Sequence, residues 1–191
     1  ILQDEADLPA LLGDARFGRG VELLQARGLS YDVLVLDHQL PSVTAFCARH
    51  DQHWLVLDHV GKPALRDWSP QADAAQNWKA NLRTLAAMPH VMCKLSGVVT
   101  ETAWPEHATL QALDRQHIVD CFDMALEAFG PERLMFGSDW PVCQLAAPYE
   151  TVIGLAQTWA LKRLSASEQT AFWCGNAMRA YGLTLPTMAT K

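Results

Sequence analysis

Short apolar strand patterns alternate with amphipathic helical patterns along this chain, and that alternation limits the folds it can adopt. Strands are predicted at 31–36, 54–57, 91–95 and 133–136. Helices are predicted at 21–27, 74–88, 118–129 and 165–181, and residues 43–48 are predicted to begin another. The first two strands both end in Leu-Val-Leu-Asp-His, 21 residues apart, a spacing that suits one strand–helix–strand step. Repeated steps of this kind predict an α/β fold with a parallel sheet.

A closed (β/α) barrel and an open doubly wound sheet both fit this alternation. An open sheet usually carries a glycine-rich phosphate loop after a strand, and neither G-x-G-x-x-G nor G-x-x-x-x-G-K occurs in this sequence. Polar residues follow several strands instead, and a barrel collects the carboxyl ends of its strands at one face. These residues are His38, Asp58, His59, Lys94, Ser96 and Asp139. The sequence therefore predicts a barrel, with residues 1–191 forming a single domain.

Composition argues against several classes of protein. The net charge of −6 and the lack of a Lys/Arg-rich run predict no nucleic-acid partner. No apolar run approaches the roughly 18 residues of a membrane span, and the start is unlike a signal peptide. Five cysteines without a close pair predict reduced core thiols, and together these features indicate a cytoplasmic protein. Because the first residue is not Met, we expect the true N-terminus to be missing.

Asp139 is the first candidate for catalysis. It follows the last predicted strand and lies between Gly137 and Pro141. A carboxylate at the mouth of a sheet can take a proton from water or bind a divalent metal. An aspartate that caps a turn fits the same pattern, so the residues alone leave both interpretations open.

His59 is the second candidate. It ends a strand and precedes a loop with Gly61 and Pro63, which favours a functional histidine over one that only fills the rim. Neutral imidazole there can bind a metal, and imidazolium can polarise a carbonyl. Side chains alternate along a strand, so Asp58 is predicted to point to the opposite face and to be structural.

Four further residues are candidates for substrate contact. Lys94 lies in an apolar strand, where it either binds a substrate carboxylate or oxyanion or pairs with a carboxylate of the barrel. Ser96 follows on the next loop. His38 ends the first strand, where a simple rim position is slightly favoured. Trp140 adjoins Asp139 and is predicted to line a sugar-sized pocket.

The remaining histidines and tryptophans are predicted to be structural. His50 and His53 lie in a helix-to-strand connection, away from the face where a barrel carries its site, so a metal site is not expected there. His107 and His117 are predicted at the surface. Packing roles are predicted for Trp68, Trp78, Trp104, Trp159 and Trp173.

Four segments, in order, give the chain a specific resemblance. They are WLVLDHVGKP (54–63), VMCKLSGVVTE (91–101), FGPERLMFGSDWPVC (129–143) and GNAMRAYG (175–182). Together they resemble the amidohydrolase-2 (amidohydrolase-related) family, within it the sugar-lactonase branch that includes L-fuconolactonases, L-rhamnonolactonases and pyrone-dicarboxylate lactonases. One such segment is a weak signal, whereas four in order are a strong one.

The resemblance implies a distorted TIM barrel of the metal-dependent hydrolase superfamily. It implies that Asp139 is the catalytic base and, in metal-dependent members, also a metal ligand. It implies that His59 is a metal ligand or polarises the carbonyl, and it puts Lys94 and Trp140 at pocket positions. The cofactor is then one divalent metal such as zinc, or none, because some relatives need no metal.

One departure from the family pattern bears on both metal and length. The family carries His-x-His on its first strand, and no His-x-His occurs in this sequence. The opening residues resemble the end of the family's third strand. We therefore expect a partial (β/α)8 barrel that lacks its first two to three βα units, and we expect these 191 residues alone to be poorly stable and inactive.

The favoured reaction is hydrolysis of a sugar-acid lactone, a small-molecule substrate, with Asp139 as base and His59, a metal or Lys94 stabilising the oxyanion. A metal-dependent decarboxylase of the same superfamily is the nearest alternative. A noncatalytic binding protein or an inactive fragment is another. The sequence does not indicate which lactone or related carboxylate is bound, nor the oligomeric state.

Overall fold

The computed structural model describes residues 2–184, which contain a four-stranded parallel sheet. Its strands β1 to β4 are Tyr31–Val33, Leu55–Leu57, Val91–Leu95 and Leu134–Phe136. They lie side by side in chain order, each parallel to the next. The predicted parallel α/β fold is confirmed, and β1 is shorter than predicted because its pairing with β2 ends at Val33 and Leu57. All four carboxyl ends therefore meet at one edge of the sheet.

Helices connect and cover these strands. Helices α1 to α9 are Leu8–Gly13, Ala15–Gln25, Leu40–Arg49, Asp73–Ala86, Trp104–His107, Ala112–Phe129, Tyr149–Arg163, Ala166–Thr170 and Asn176–Tyr181. A π-helical turn, Ala171–Gly175, joins the last two. Short 3-10 turns occur at Leu2–Asp4, Asp37–Gln39, Asp58–Gly61, Val99–Glu101, Pro131–Arg133 and Val142–Leu145.

Local side-chain contacts explain where two helices begin. Helix α2 starts earlier than predicted because the Asp14 carboxylate accepts hydrogen bonds from the N–H groups of Arg16 (2.6 Å) and Phe17 (3.4 Å). The predicted capping box before α8 is confirmed, since the Ser165 N–H donates to Glu168 Oε2 at 2.7 Å. The closing helix was predicted as one piece, and the structure divides it by the π-helical turn.

The two faces of the sheet have different neighbours. On the outer face, Leu55, Leu57, Cys93 and Leu95 belong to the main core, which the helices complete with Trp78, Leu82, Ile118 and Phe122. On the inner face, Val56, Met92 and Met135 form a smaller buried cluster with Ala180 of α9. Side chains alternate between the two faces along a strand, so residues two positions apart lie on the same face. Lys94, two residues after Met92, therefore belongs to the inner face.

Most of the predicted packing roles are confirmed, with one correction. Trp68 and Trp78 meet edge to face at 5.5 Å, and four of the five free cysteines are buried. His107 is exposed as predicted. His117 is not at the surface: its Nδ1 lies 3.1 Å from the Leu65 carbonyl oxygen, and the residue is buried. Helix α6 begins at Ala112, so His117 shares the buried face with Ile118.

A helix that crosses a membrane must be both long and apolar. Between residues 2 and 184, no helix combines the length and the apolar character that crossing a membrane requires.

Asn176 joins the last helix to the start of β4, and its removal should destabilise the protein. Its side-chain amide is buried and donates to the carbonyl oxygens of Pro131 (2.8 Å) and Leu134 (2.6 Å). Asn176→Ala leaves both acceptors without this donor, so we expect a loss of about 3 kcal/mol in the free energy of unfolding, measured by urea denaturation. Asn77→Ala, on the exposed face of α4, should change it by less than about 0.5 kcal/mol. Equal effects of the two substitutions would contradict this role.

Candidate active site

A left-handed turn follows β2 and carries His59. His59, Val60, Gly61 and Lys62 have φ values of 49°, 49°, 71° and 44°, so four successive residues occupy a region that suits glycine. Each non-glycine residue there costs roughly 1–2 kcal/mol. The Lys62 N–H closes the turn on the His59 carbonyl at 2.8 Å, and the Trp78 indole N–H donates to the Val60 carbonyl at 3.0 Å. Surrounding structure therefore imposes this conformation.

The loop after β3 determines where the His59 ring lies. Ser96 Oγ is 2.8 Å from His59 Nδ1. Gly97 has a φ of 63°, and a Cβ atom there would come within 2.5 Å of the same nitrogen. The ring thus occupies the space that a side chain at position 97 would need. Because Nδ1 is engaged with Ser96, the other ring nitrogen, Nε2, is the one available for chemistry.

Asp139 faces that nitrogen from the loop after β4. Its Oδ1 lies 3.7 Å from His59 Nε2, and the two side chains are only 16% and 17% exposed. Asp139 has a φ of 56°, which turns the chain sharply after Ser138. A Cβ at Gly137 would come within 2.9 Å of Ser96 Cβ, so this glycine allows the loops to approach. The structure thus brings together two residues that are 80 positions apart in the sequence.

The surroundings of Asp139 favour its protonated form. Burial raises the pKa of its carboxyl, and the negative charge of Asp58 adds to that effect. Attraction to His59 and Lys62 opposes the rise without cancelling it. A carboxylate whose pKa is raised holds a proton more strongly and is a better general base.

Lys94 lies between two carboxylates on the inner face. Its Nζ is 2.7 Å from Asp58 Oδ1 and 3.1 Å from Asp32 Oδ2. Burial lowers the pKa of Lys94, but the contacts with Asp58 and Asp32 outweigh burial, and the net shift is upward. Lys94 is therefore a permanent cation. Of the two interpretations open for Lys94, the structure shows pairing with carboxylates of the sheet.

Asp58 requires a correction. It was predicted to point away from the site, yet it contacts Lys94 and lies close enough to Asp139 to raise that residue's pKa. Asp58 lies two residues after Val56, so strand alternation places it on the inner face with Lys94. His59 is the residue that leaves the alternation, because the left-handed turn brings it to the same end of the sheet.

Tyr181, from the last helix, completes this cluster. Its hydroxyl lies 2.8 Å from Asp32 Oδ1, and Lys94 Nζ lies 5.5 Å from the centre of its ring. Burial raises the pKa of the tyrosine to about 12, so the hydroxyl stays protonated at neutral pH. Sequence reasoning did not single out Asp32 or Tyr181. A carboxylate inside a predicted apolar strand was the available signal for Asp32.

Two other candidates lie at the surface. Trp140 is 63% exposed, and its backbone N–H donates to Ser138 Oγ at 3.3 Å. His38 has a side chain that is 71% exposed and pairs with its neighbour Asp37 at 3.5 Å. The described contacts do not join His38 to the cluster of His59 and Asp139, which agrees with a rim position. His50 is buried against Phe46.

His59 and Asp139 could share one metal ion. Two ligand atoms bound tetrahedrally to zinc lie about 3.4 Å apart, close to the 3.7 Å between Nε2 and Oδ1. Imidazole nitrogen and carboxylate oxygen are donors that zinc accepts. Residues 2–184 hold no group of three or more His, Cys, Asp or Glu side chains arranged for a metal. These two residues would therefore be a partial ligand set.

The match to a known family extends over nearly the whole chain. Residues 5–183 match the model of the Amidohydrolase family. The chain belongs to the amidohydrolase family. The resemblance predicted from four segments is thereby confirmed.

Individual relatives within the family are close. An L-fucono-1,5-lactonase of Burkholderia multivorans is 58% identical over 188 residues, which cover 98% of this chain and 63% of that protein. An L-fucono-1,5-lactonase of Burkholderia ambifaria is 30% identical over 190 residues, which cover 98% and 61%. The crystal structure of a B. multivorans amidohydrolase with bound zinc matches 96% of this chain and 63% of its own, with a TM-score of 0.91 and 59% identity.

The chain spans less than two thirds of the length of these relatives. Its four parallel strands and their helices are part of a (β/α) barrel, as predicted. In such barrels the site lies at the carboxyl ends of the strands, and His59 and Asp139 are at that edge.

Gly97→Ala should disturb the protein through the His59 ring. A control with the same backbone strain is Gly28→Ala, because Gly28 has a φ of 68° and no atom lies within 4 Å of where its Cβ would be, so only the strain term of about 1 kcal/mol applies. Gly97→Ala adds the collision with His59. We therefore expect it to lower the free energy of unfolding by at least about 1 kcal/mol more than Gly28→Ala does. Chemical denaturation of both variants measures this difference. Equal losses would mean that Gly97 does not restrict the ring.

Proposed function

We propose that this protein is a hydrolase that opens a sugar-acid lactone by attack of water, with Asp139 as the base. The observation that carries the proposal is the facing pair of His59 and Asp139 at the carboxyl edge of the sheet. The relative of B. multivorans, 58% identical, is named L-fucono-1,5-lactonase, which supports a lactone as substrate. The substrate of this chain is accordingly a sugar lactone or a related small molecule.

The residues present can carry out each proton transfer. Asp139 accepts a proton from water as the oxygen of that water bonds to the lactone carbonyl carbon. When the Ser96 hydroxyl donates to Nδ1, Nε2 of His59 carries a hydrogen, and it donates a hydrogen bond to the developing oxyanion while keeping its proton. The ring C–O bond then breaks, and Asp139 returns the proton to the leaving hydroxyl oxygen. The product is a hydroxy acid, and one carboxylate serves both steps.

The tautomer of His59 also determines whether its Nε2 atom can bind a metal. When Nδ1 donates its hydrogen to Ser96 Oγ, the lone pair of Nε2 is free to bind a cation beside Asp139. A bound divalent metal would polarise the carbonyl and lower the pKa of a bound water. His59 and Asp139 are the residues of this chain that would hold it, and zinc suits both donors.

The charges around the site favour an uncharged substrate. Lys62 and Lys94, the two lysines whose charges lower the pKa of Asp139, are each already within 3.1 Å of a carboxylate. A substrate carboxylate would compete with those partners and would approach Asp58 and Asp139. This supports a neutral lactone over the carboxylic acid that a decarboxylase requires. Trp140 and Ser96 remain our candidates for contacts with the sugar, with His38 at the rim and Lys94 acting through Asp58.

The full-length gene product should release protons from neutral aldonolactones. We expect turnover of some members of an aldonolactone panel, followed with a pH indicator, and no release of CO₂ from aromatic carboxylic acids. Repeating the assay after treatment with a chelator, and again after adding zinc, tests whether a metal is needed. Release of CO₂ would favour the decarboxylase alternative. Inactivity on both panels, in a protein that unfolds cooperatively, would favour a noncatalytic protein.

Asp139→Asn should lower the rate of lactone opening by at least about 10². In the unaltered protein, protonation of Asp139 removes the base, so the rate should fall on the acid side. Because the pKa of Asp139 is raised, that fall should be centred above about 3.9, the ordinary value for aspartate. Residual activity of the variant should lack this acid limb, as pH–rate profiles would show. A near-normal rate in the variant would remove Asp139 from the mechanism.

A further inference from the structure

The proposed chemistry uses the first residue of the left-handed turn and leaves the last one without a role. His59 begins the turn and is held by Ser96. Lys62 ends it, and its Nζ lies 3.1 Å from Glu101 Oε1. Both members of this ion pair are only 20% exposed. Partial burial makes such a pair stronger than one in open solvent, where screening removes most of the attraction.

Glu101 belongs to the same loop as the residues that hold His59. That loop follows β3, begins with Ser96 and Gly97, and ends in the short turn Val99–Glu101. The Thr100 hydroxyl donates to the Gly97 carbonyl oxygen at 3.0 Å and also lies 3.3 Å from Glu101 Oε1. The loop after β3 therefore contacts both ends of the turn after β2, at His59 through Ser96 and at Lys62 through Glu101.

We propose that Lys62 and Glu101 are positioning residues whose ion pair keeps the left-handed turn against the loop after β3. By holding the end of the turn, the pair keeps His59 Nε2 directed at Asp139. Three non-glycine residues in left-handed conformation tend to relax, and relaxation of the turn would rotate His59 away. Neither Lys62 nor Glu101 needs to touch the substrate for this role.

Kinetics of single and double variants test the pair, and this readout rests on the proposed lactone hydrolysis. In the full-length gene product we expect Lys62→Met and Glu101→Gln each to lower kcat by about 10²-fold, with KM nearly unchanged, because a small misplacement of a reacting group has that effect. The double variant should lose no more than the worse single one, since both break the same contact. Lys62→Arg keeps the charge and should recover most of the activity.

A matched control comes from a neighbouring surface pair. Arg66 and Glu106 lie 3.6 Å apart and are about half exposed. Glu106→Gln removes one carboxylate charge, as Glu101→Gln does, and should leave kcat unchanged.

A second readout does not depend on activity. The ¹H–¹⁵N signals of the His59 imidazole should shift in both single variants and stay in place in Glu106→Gln. Unchanged His59 signals in the two single variants would overturn the proposal, whatever their melting temperatures. A raised KM with unchanged kcat would also overturn it, because Lys62 would then contact substrate, and so would additive losses in the double variant. Inactivity of the unaltered protein on every lactone would reject the proposed function instead, and the imidazole signals would then decide the role of the pair.

Discussion

The contact between the loops after β2 and β3 is the constraint on which the rest of the site depends. Parallel pairing brings the two strand ends side by side, and the absence of a side chain at Gly97 admits the His59 ring. Ser96 then orients that ring, and the left-handed backbone directs it across the edge of the sheet. With any ordinary turn after Leu57, His59 would follow strand alternation and face away from Asp139.

The charged residues at the carboxyl edge of the sheet form two groups. Lys94 compensates Asp58 and Asp32 on the inner face, and Tyr181 completes that cluster from the last helix. Among the described ion pairs, no lysine or arginine lies within contact distance of Asp139, and burial raises the pKa of its carboxyl. One carboxylate thus has a raised pKa, while the other two are paired with Lys94. This separation suits a reaction that needs a single base and a neutral substrate.

Several features could be predicted because they depend on neighbours in the sequence. Strand–helix alternation predicted the parallel sheet, and the capping box at Ser165 predicted the start of α8. The position of Asp139, three residues after the end of a predicted strand, was enough to place it at the edge. His117 was placed wrongly because the start of α6 was missed, and the burial of a helical residue depends on which face the whole helix presents.

The sequence by itself determined the strands, their parallel order and the edge at which His59 and Asp139 lie. These features depend on the spacing of apolar residues and on the glycines and prolines that end each element, and both are local properties of the chain. Tertiary structure decided everything that depends on contacts between distant segments. The left-handed turn is stabilised by Trp78, Ser96 and Glu101, none of which is adjacent to it in sequence. The direction of the His59 side chain and the choice of partners for Lys94 were decided in the same way, because they depend on where other strands end.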